Sequence, residues 1–356
     1  MAIVELELTG GPRERGCRHG AALRPEIEHL WSQWVACGAR QAQPINEGAI
    51  LSFTGAHEAA AEKFTPDLAE EVDGIGEASG IGYHRAFALS CWDELCSWLA
   101  GRGGPRGGGC TSFAVVTPDG PVIGQNQDAW TWWRPVVVAR HTDRGQAPLL
   151  VTTHPGVVGV LGLSGAGVGI VANSLMPDDR APGVPFAFVL RLALAAATAE
   201  GAVASILDTP RATGANWVVA DGDAAFDVET THAEAHVTRV RRAHAHSNHY
   251  LAPELKPRED GIASLPDTVQ RESRMRSLLC ASDPEGETPA SLLRHLADHA
   301  ESPTAICRHP AVALDDMETL AATVIAPAEN LMLVTDGPPC HRVPRPFSVS
   351  RERARA

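Results

Sequence analysis

The 356-residue sequence is poor in lysine: Lys63 and Lys256 are the only lysines, and arginine carries nearly all of the positive charge. The net charge is −13 and no run of basic residues appears anywhere. A surface that binds DNA, RNA or anionic lipid needs a basic stripe or patch, so nucleic acids and membranes are not expected partners.

Long apolar runs are also absent. No stretch of 18 apolar residues exists, and "MAIVELELTG" lacks the basic and apolar segments of a secretory signal. The eight cysteines are scattered without a CxxC pair and read as free thiols in a chain expected in the cytoplasm. No GxxxxGK[ST] occurs, nor a strand-GxGxxG-helix, so no cofactor is expected. There is no internal repeat and no low-complexity linker apart from one glycine tract.

What is present changes texture at residue 110. Before it, "PEIEHLWSQWVACGA" spaces Ile27, Leu30, Trp31, Trp34 and Val35 as one face of a helix. "TPDLAEEVDGIGEASG" opens on Thr65-Pro66 and closes on Gly80, start and stop signals of a second helix. Residues 83–100 form a third helix-length segment. After Cys110, short β-type runs alternate with PDG, DRG and SGAG turns. Residues 185–207 read as one helix, 216–230 as a hairpin, two helices follow, and 320–339 is a final strand pair. This order suits an α+β sandwich of two antiparallel sheets with helices outside. A helical domain joined to a β domain by the glycine tract is the alternative.

That tract, "GRGGPRGGGCTSF", runs straight into Cys110 at a strand start. By itself it reads as a loop before a small buried residue. A nucleophilic cysteine needs a base, and cutting Gly109–Cys110 would supply one: the freed α-amine of Cys110, with a pKa near 8. Gly109 has no side chain to hinder attack by the thiol on its carbonyl.

"GCTSFAVVTPDGPVIGQNQD" resembles the activation site of the isopenicillin N acyltransferase (acyl-CoA:6-aminopenicillanic acid acyltransferase) family, N-terminal nucleophile (Ntn) hydrolases that cut themselves before such a cysteine. "ELTGGPRERGCRHG", "GLSGAGVGIVANSL", "HSNHYL", "ESRMR" and "LMLVTDGPPC" resemble further family segments in the same order. The resemblance implies a four-layer αββα sandwich of the Ntn-hydrolase type. Residues 1–109 would be the N-terminal chain and 110–356 the catalytic core, held as one globular unit. It implies Cys110 as nucleophile, Asp128 as the carboxylate that holds the new α-ammonium, and Asn248, with Asn173, as oxyanion donors. Ser273 and Arg274 match the family's Ser-Arg pair on a late helix, and Ser112 could assist cleavage. The family includes both amide hydrolases and acyltransferases, and nothing in this sequence selects β-lactam chemistry.

Two clusters have competing readings. His244, His246 and His249 could bind metal in a non-maturing homologue, but no recognised metal motif is complete, so no metal is expected. Trp130 and Trp132 either line a pocket for an apolar acyl group or belong to the core. The expected partners are a small-molecule amide or acyl-thioester substrate, and the two chains of one precursor.

Overall fold

The computed structural model describes residues 3–102, 108–143, 145–260, 265–302, 304–310 and 317–349. Most of the glycine tract, residues 103–107, therefore lies outside the described residues. The chain opens with strand β1 (Val4–Thr9). Seven helices follow: α1 (Pro12–Ala22), α2 (Arg24–Ala39), α3 (Glu47–Gly55), α4 (Glu58–Phe64), α5 (Pro66–Ser79), α6 (Tyr83–Ser90) and α7 (Trp92–Ala100). Next come β2 (Gly108–Thr117), β3 (Gly120–Trp130), β4 (Val137–Thr142), β5 (Leu149–Thr153), β6 (Leu161–Ser164) and β7 (Gly169–Leu175). Helices α8 (Phe186–Leu194) and α9 (Ala199–Asp208) precede β8 (Gly214–Ala220), β9 (Ala225–Thr230), β10 (Ala235–Val240) and β11 (Ala243–His246). The last elements are α10 (Thr268–Ala281), α11 (Pro289–His295), β12 (Met317–Ala326), β13 (Leu331–Val334) and β14 (Arg345–Phe347).

The strands form two sheets. One has the order β1-β4-β5-β6-β7-β8-β9-β10 and the other β11-β2-β3-β12-β13-β14. Alternation along the second sheet sorts its side chains between two cores. Ala114, Ile123 and Ile325 face the first sheet, in one core with Val171, Val219 and the N-terminal helices. Phe113, Val115, Val122 and Val324 face the other way, against Met275 and Leu279 of α10 and Leu292 of α11. The result is the four-layer α+β sandwich, helices on both outer faces and the two sheets between. Among the described residues no helix is long and apolar enough to cross a membrane.

Several boundaries differ from the sequence reading. "VELELT" is a strand inside the segment read as helical, and it pairs in parallel with β4, so the sheets are not purely antiparallel. The 185–207 helix is two helices, because the Thr198 side chain accepts the Gly201 N–H at 3.1 Å and starts a new one. The 83–100 segment likewise breaks at Cys91. Thr65 does not cap α5; its hydroxyl donates back to the Ala61 carbonyl at 2.6 Å, while Pro66 and the left-handed Gly80 (φ 85°) bound the helix as expected.

The glycines of the "GCRHG" stretch serve packing. A Cβ on Gly16 would lie 1.9 Å from the Glu71 carbonyl oxygen, and one on Gly20 would lie 2.5 Å from that of Ile75, so α1 and α5 touch backbone to backbone. Between them Glu71 is buried and paired with Arg15 (3.1 Å) and Arg191 (3.1 Å). Burial alone would raise the Glu71 carboxyl; Arg191, His141 and Arg15 outweigh it and hold the group at about 2.

Candidate active site

Cys110 stands third in β2, 7% exposed, with Gly109 opposite Asp128 and Cys110 opposite Gln127 on β3. Its backbone is held on both sides. The Cys110 N–H donates to Asn248 Oδ1 at 2.8 Å, and its carbonyl accepts from Ser247 Oγ at 2.8 Å and from Arg271 Nη1. Arg271, from the first turn of α10, is 1% exposed and also donates to Asn248 Oδ1 (2.9 Å) and Thr111 Oγ1 (3.0 Å). Two donors, the Cys110 N–H and the guanidinium, face the same Asn248 atom, which fixes that atom as the amide oxygen.

Two carboxylates balance two guanidiniums here. Arg271 Nε donates to Asp267 Oδ2 at 3.1 Å. Arg308 Nε lies 3.2 Å from Asp128 Oδ2, and its Nη2 contacts Asp267. Thr319 Oγ1 donates to Asp128 Oδ1 at 2.7 Å. A Cβ built on Gly109 would meet Arg271 Nη2 at 3.5 Å and Arg308 Nη2 at 3.7 Å, so both guanidiniums flank the Gly109–Cys110 peptide. Burial, then the Asp128 charge, push the Cys110 thiol up to about 12, with Gln125 and Arg271 opposing. Burial also raises Asp128, against Arg308 and Arg271. In the uncut chain the thiol is therefore held protonated.

The expected residues fall into two groups. Cys110, Asp128 and Asn248 come together. Arg274 does not join them: it lies on the other face of α10, paired with Asp298 at 2.6 Å, and Arg271 occupies the place beside Cys110. A signal for this was present in the sequence. Arg271, Met275 and Leu279 share the i, i+4, i+8 stripe that α10 buries, and Arg274 is off it. Ser273 is half-buried, and its carbonyl accepts from the Ser277 hydroxyl. Asn173 Nδ2 donates to Ser112 Oγ (2.7 Å) and Asn216 Oδ1 (2.9 Å), so both its hydrogens are engaged between the sheets. Asn248 Nδ2 donates one hydrogen to the Ser174 carbonyl at 3.1 Å and has no other acceptor among the described residues. Ser247, Arg308, Asp267, Thr268 and Thr319 were not legible as site residues, because they meet Cys110, Asp128, Asn248 or Arg271 from separate loops and elements.

Trp130 and Trp132 stack at 5.1 Å, but both pack edge-on against Trp34 of α2, and Trp130 is 4% exposed. Trp132 sits in a 3-10 turn rather than on an extended strand. The pair belongs to the core, and neither ring lines the cavity that opens between Phe53, Trp98 and Arg180. That cavity, of about 530 Å³, is lined by Phe53, Trp98, His57, Glu94, Arg102 and Arg180 among others. Cys110 is not among the residues that line it, and a chain of contacts links the two. The residue before Glu94, Asp93, accepts from Ser174 Oγ, and the Ser174 carbonyl accepts from Asn248.

The three histidines of "HAHSNH" do not converge on one point. His244 Nε2 meets Asp227 at 3.3 Å, His246 Nε2 meets Glu229 at 3.1 Å, and His249 Nδ1 meets Thr268 Oγ1 at 3.0 Å. Burial would lower His246, but Asp227 and Glu229 raise it from 6.5 to about 9. A histidine with a raised folded-state pKa stabilises fully below the unfolded value and loses that contribution as pH climbs to the folded one. Melting temperature should therefore fall between pH 6.5 and 9 more steeply in the parent protein than in His246→Gln. Parallel slopes in a thermal-shift series would show that His246 does not carry this dependence.

The chain is similar to several known proteins. A penicillin V acylase from Agrobacterium tumefaciens shares 16% identity at TM-score 0.45, with 67% of this chain and 85% of that one covered. A conjugated bile acid hydrolase from Clostridium perfringens, in a C2A mutant, shares 13% at TM-score 0.43, over 67% and 92%. The acyl-coenzyme A:6-aminopenicillanic-acid-acyltransferase 40 kDa form of Emericella nidulans is 26% identical over 318 residues, 86% of this chain and 85% of that protein. The sequence model of the acyl-coenzyme A:6-aminopenicillanic acid acyl-transferase family matches residues 115–339. The match takes in Asp128, Asn248 and Arg271 and begins five residues after Cys110. Over that span, well beyond half of the sequence, the chain belongs to the acyl-coenzyme A:6-aminopenicillanic acid acyl-transferase family of enzymes.

Proposed function

We propose that this chain activates itself by cutting Gly109–Cys110 and then works as an N-terminal-cysteine amide hydrolase or acyltransferase on a small N-acyl substrate, through an S-acyl enzyme on Cys110. The observation that carries this reading is the Cys110 N–H held at 2.8 Å by a buried Asn248 oxygen, with two guanidiniums beside the Gly109–Cys110 peptide.

In the first step the thiol attacks the Gly109 carbonyl carbon. A C–S bond forms, the C–N bond breaks, and the nitrogen takes a proton to become the α-amine. Water then hydrolyses the thioester and releases the Gly109 carboxylate. Asn248 Oδ1 can accept from the nitrogen before and after cleavage, so the new amine stays beside its own thiol. The amine takes the thiol proton when Cys110 attacks a substrate carbonyl, and returns it to the leaving amine. Asn248 is the better oxyanion donor of the two asparagines, since its second N–H is uncommitted among the described residues. Arg271 adds positive charge at the same point. Asp128 stands opposite Gly109 on β3, its Oδ1 held by Thr319 and its Oδ2 beside Arg308, and is the carboxylate that would hold the new α-ammonium.

The 530 Å³ cavity is the substrate site in this reading. Phe53 and Trp98 stack at 4.6 Å and give it an apolar wall, and Arg102 and Arg180 favour an acidic group. Burial, then Asp93, push the Glu94 carboxyl up to about 8, so it is a hydrogen-bond donor at neutral pH. An acyl thioester, the class named for the Emericella relative, is a second acyl donor that this site would take.

The test is to incubate cleaved protein with a panel of N-acyl amines and N-acyl amino acids, alongside acyl-coenzyme A. Intact-mass analysis should find one acyl adduct on the C-terminal chain, on Cys110, with aryl or alkyl acyl groups bearing a nearby carboxylate preferred. An adduct on another cysteine, or none with any acyl donor, would refute the S-acyl mechanism.

A further inference from the structure

Two histidines and two cysteines outside the active site converge on one point. His299, Cys307 and His309 lie on the segment after α11, and Cys340 lies beyond β13. Their ligand atoms all fall within 4.8 Å of one another. His299 Nε2 is 3.0 Å from His309 Nε2, and Cys307 Sγ is 3.6 Å from Cys340 Sγ. His309 Nε2 is 3.8 Å from Cys307 Sγ and 3.3 Å from Cys340 Sγ.

A tetrahedral zinc ion with Zn–N of about 2.0 Å and Zn–S of about 2.3 Å requires ligand separations of roughly 3.3 Å (N–N), 3.5 Å (N–S) and 3.8 Å (S–S). The four measured edges stand within a few tenths of an ångström of these. Without an ion the arrangement is poorly satisfied. Two imidazole nitrogens at 3.0 Å can share a single proton, and thiols are weak donors and acceptors. The donor set contains no carboxylate, which disfavours calcium and magnesium, and a soft S₂N₂ set selects zinc. We propose that His299, Cys307, His309 and Cys340 form a structural zinc site, with four protein ligands and no open position for catalysis.

The site bears on the active centre through one residue. Arg308 lies between two of the ligands, and its guanidinium meets Asp128 and Asp267. Its backbone N–H donates to Thr319 Oγ1 at 2.9 Å, and Thr319 holds Asp128. Fixing Cys307 and His309 on a metal therefore fixes the cation that balances Asp128. The sequence reading weighed only His244, His246 and His249 as metal ligands; in this cluster Cys340 lies 31 residues beyond His309 and no CxxC marks it.

The test uses the full chain, without an affinity tag that binds metal, expressed with zinc supplied and purified under reducing conditions. Elemental analysis should find about one zinc per chain. Cys340→Ser and His309→Gln should each lower zinc content at least tenfold, whereas Cys280→Ser, at an exposed thiol elsewhere, should leave it unchanged. As a check that does not depend on the variants folding, the chelated parent protein should bind one cobalt(II) and develop thiolate-to-cobalt charge-transfer absorption. Zinc-free reduced protein that gives no such absorption would overturn the proposal. So would a Cys307–Cys340 disulfide as the stable state under these conditions.

Discussion

Purified protein should run as two associated chains, residues 1–109 and 110–356, and Cys110→Ala should remain one chain with no activity. The expected difference is all-or-none, because the alanine variant lacks both the attacking sulfur and, with the peptide uncut, the α-amine that would serve as base. Cys110→Ser should cleave more slowly, since a hydroxyl is the weaker nucleophile. The two chains should not separate without denaturant: β1 is hydrogen-bonded to β4 along six residue pairs, and the helices before Cys110 share one core with both sheets. Intact-mass spectra over long incubation read the outcome. A single full-length mass in the parent protein, with Cys110 unmodified, would exclude self-activation at this bond. Full amidase activity in Cys110→Ala would exclude Cys110 as nucleophile.

The second large effect is expected at Arg271. Its guanidinium holds the Cys110 carbonyl, Asn248 Oδ1, Thr111 and Asp267 in a fully buried setting. Arg271→Ala leaves the buried Cys110 carbonyl and Asn248 oxygen short of a donor while Asp267 keeps Arg308, which costs about 1–3 kcal/mol. Self-cleavage should slow by a factor on the order of 100 or more, as when one donor is removed from an acyl-transfer site. Arg271→Lys should recover part of the stability but little of the rate, since an ammonium cannot reproduce the planar fork. Arg274→Ala should cost about 1 kcal/mol, because its bidentate pair with Asp298 is only partly buried and is screened by solvent. Denaturant melts and cleavage time courses of the three variants separate the two arginines. Equal effects at positions 271 and 274 would argue that α10 contributes only packing.

Much of the architecture was legible because it is written locally. The β-type runs "TSFAVV" and "PVIGQN" became β2 and β3, and Pro66 and Gly80 bounded α5. Elements were misjudged where a local signal had a second outcome. "VELELT" alternates in a segment otherwise full of helices, and the apolar 185–207 run contains a cap at Thr198. Trp130 and Trp132 were ambiguous because an aromatic pair has the same spacing in a core as in a pocket; only Trp34, arriving from α2, decided for the core.

By itself, the sequence determined the family, the α+β layering and the candidate nucleophile, since ordered motifs, hydrophobic period and turn residues are properties of neighbours along the chain. The tertiary structure decided which side chains meet. It chose Arg271 over Arg274, gave the Cys110 nitrogen to Asn248, and brought His299, Cys307, His309 and Cys340 to one point. Such contacts join segments tens to more than a hundred residues apart, and their distances follow from how strands and helices stack, which spacing along the chain does not specify.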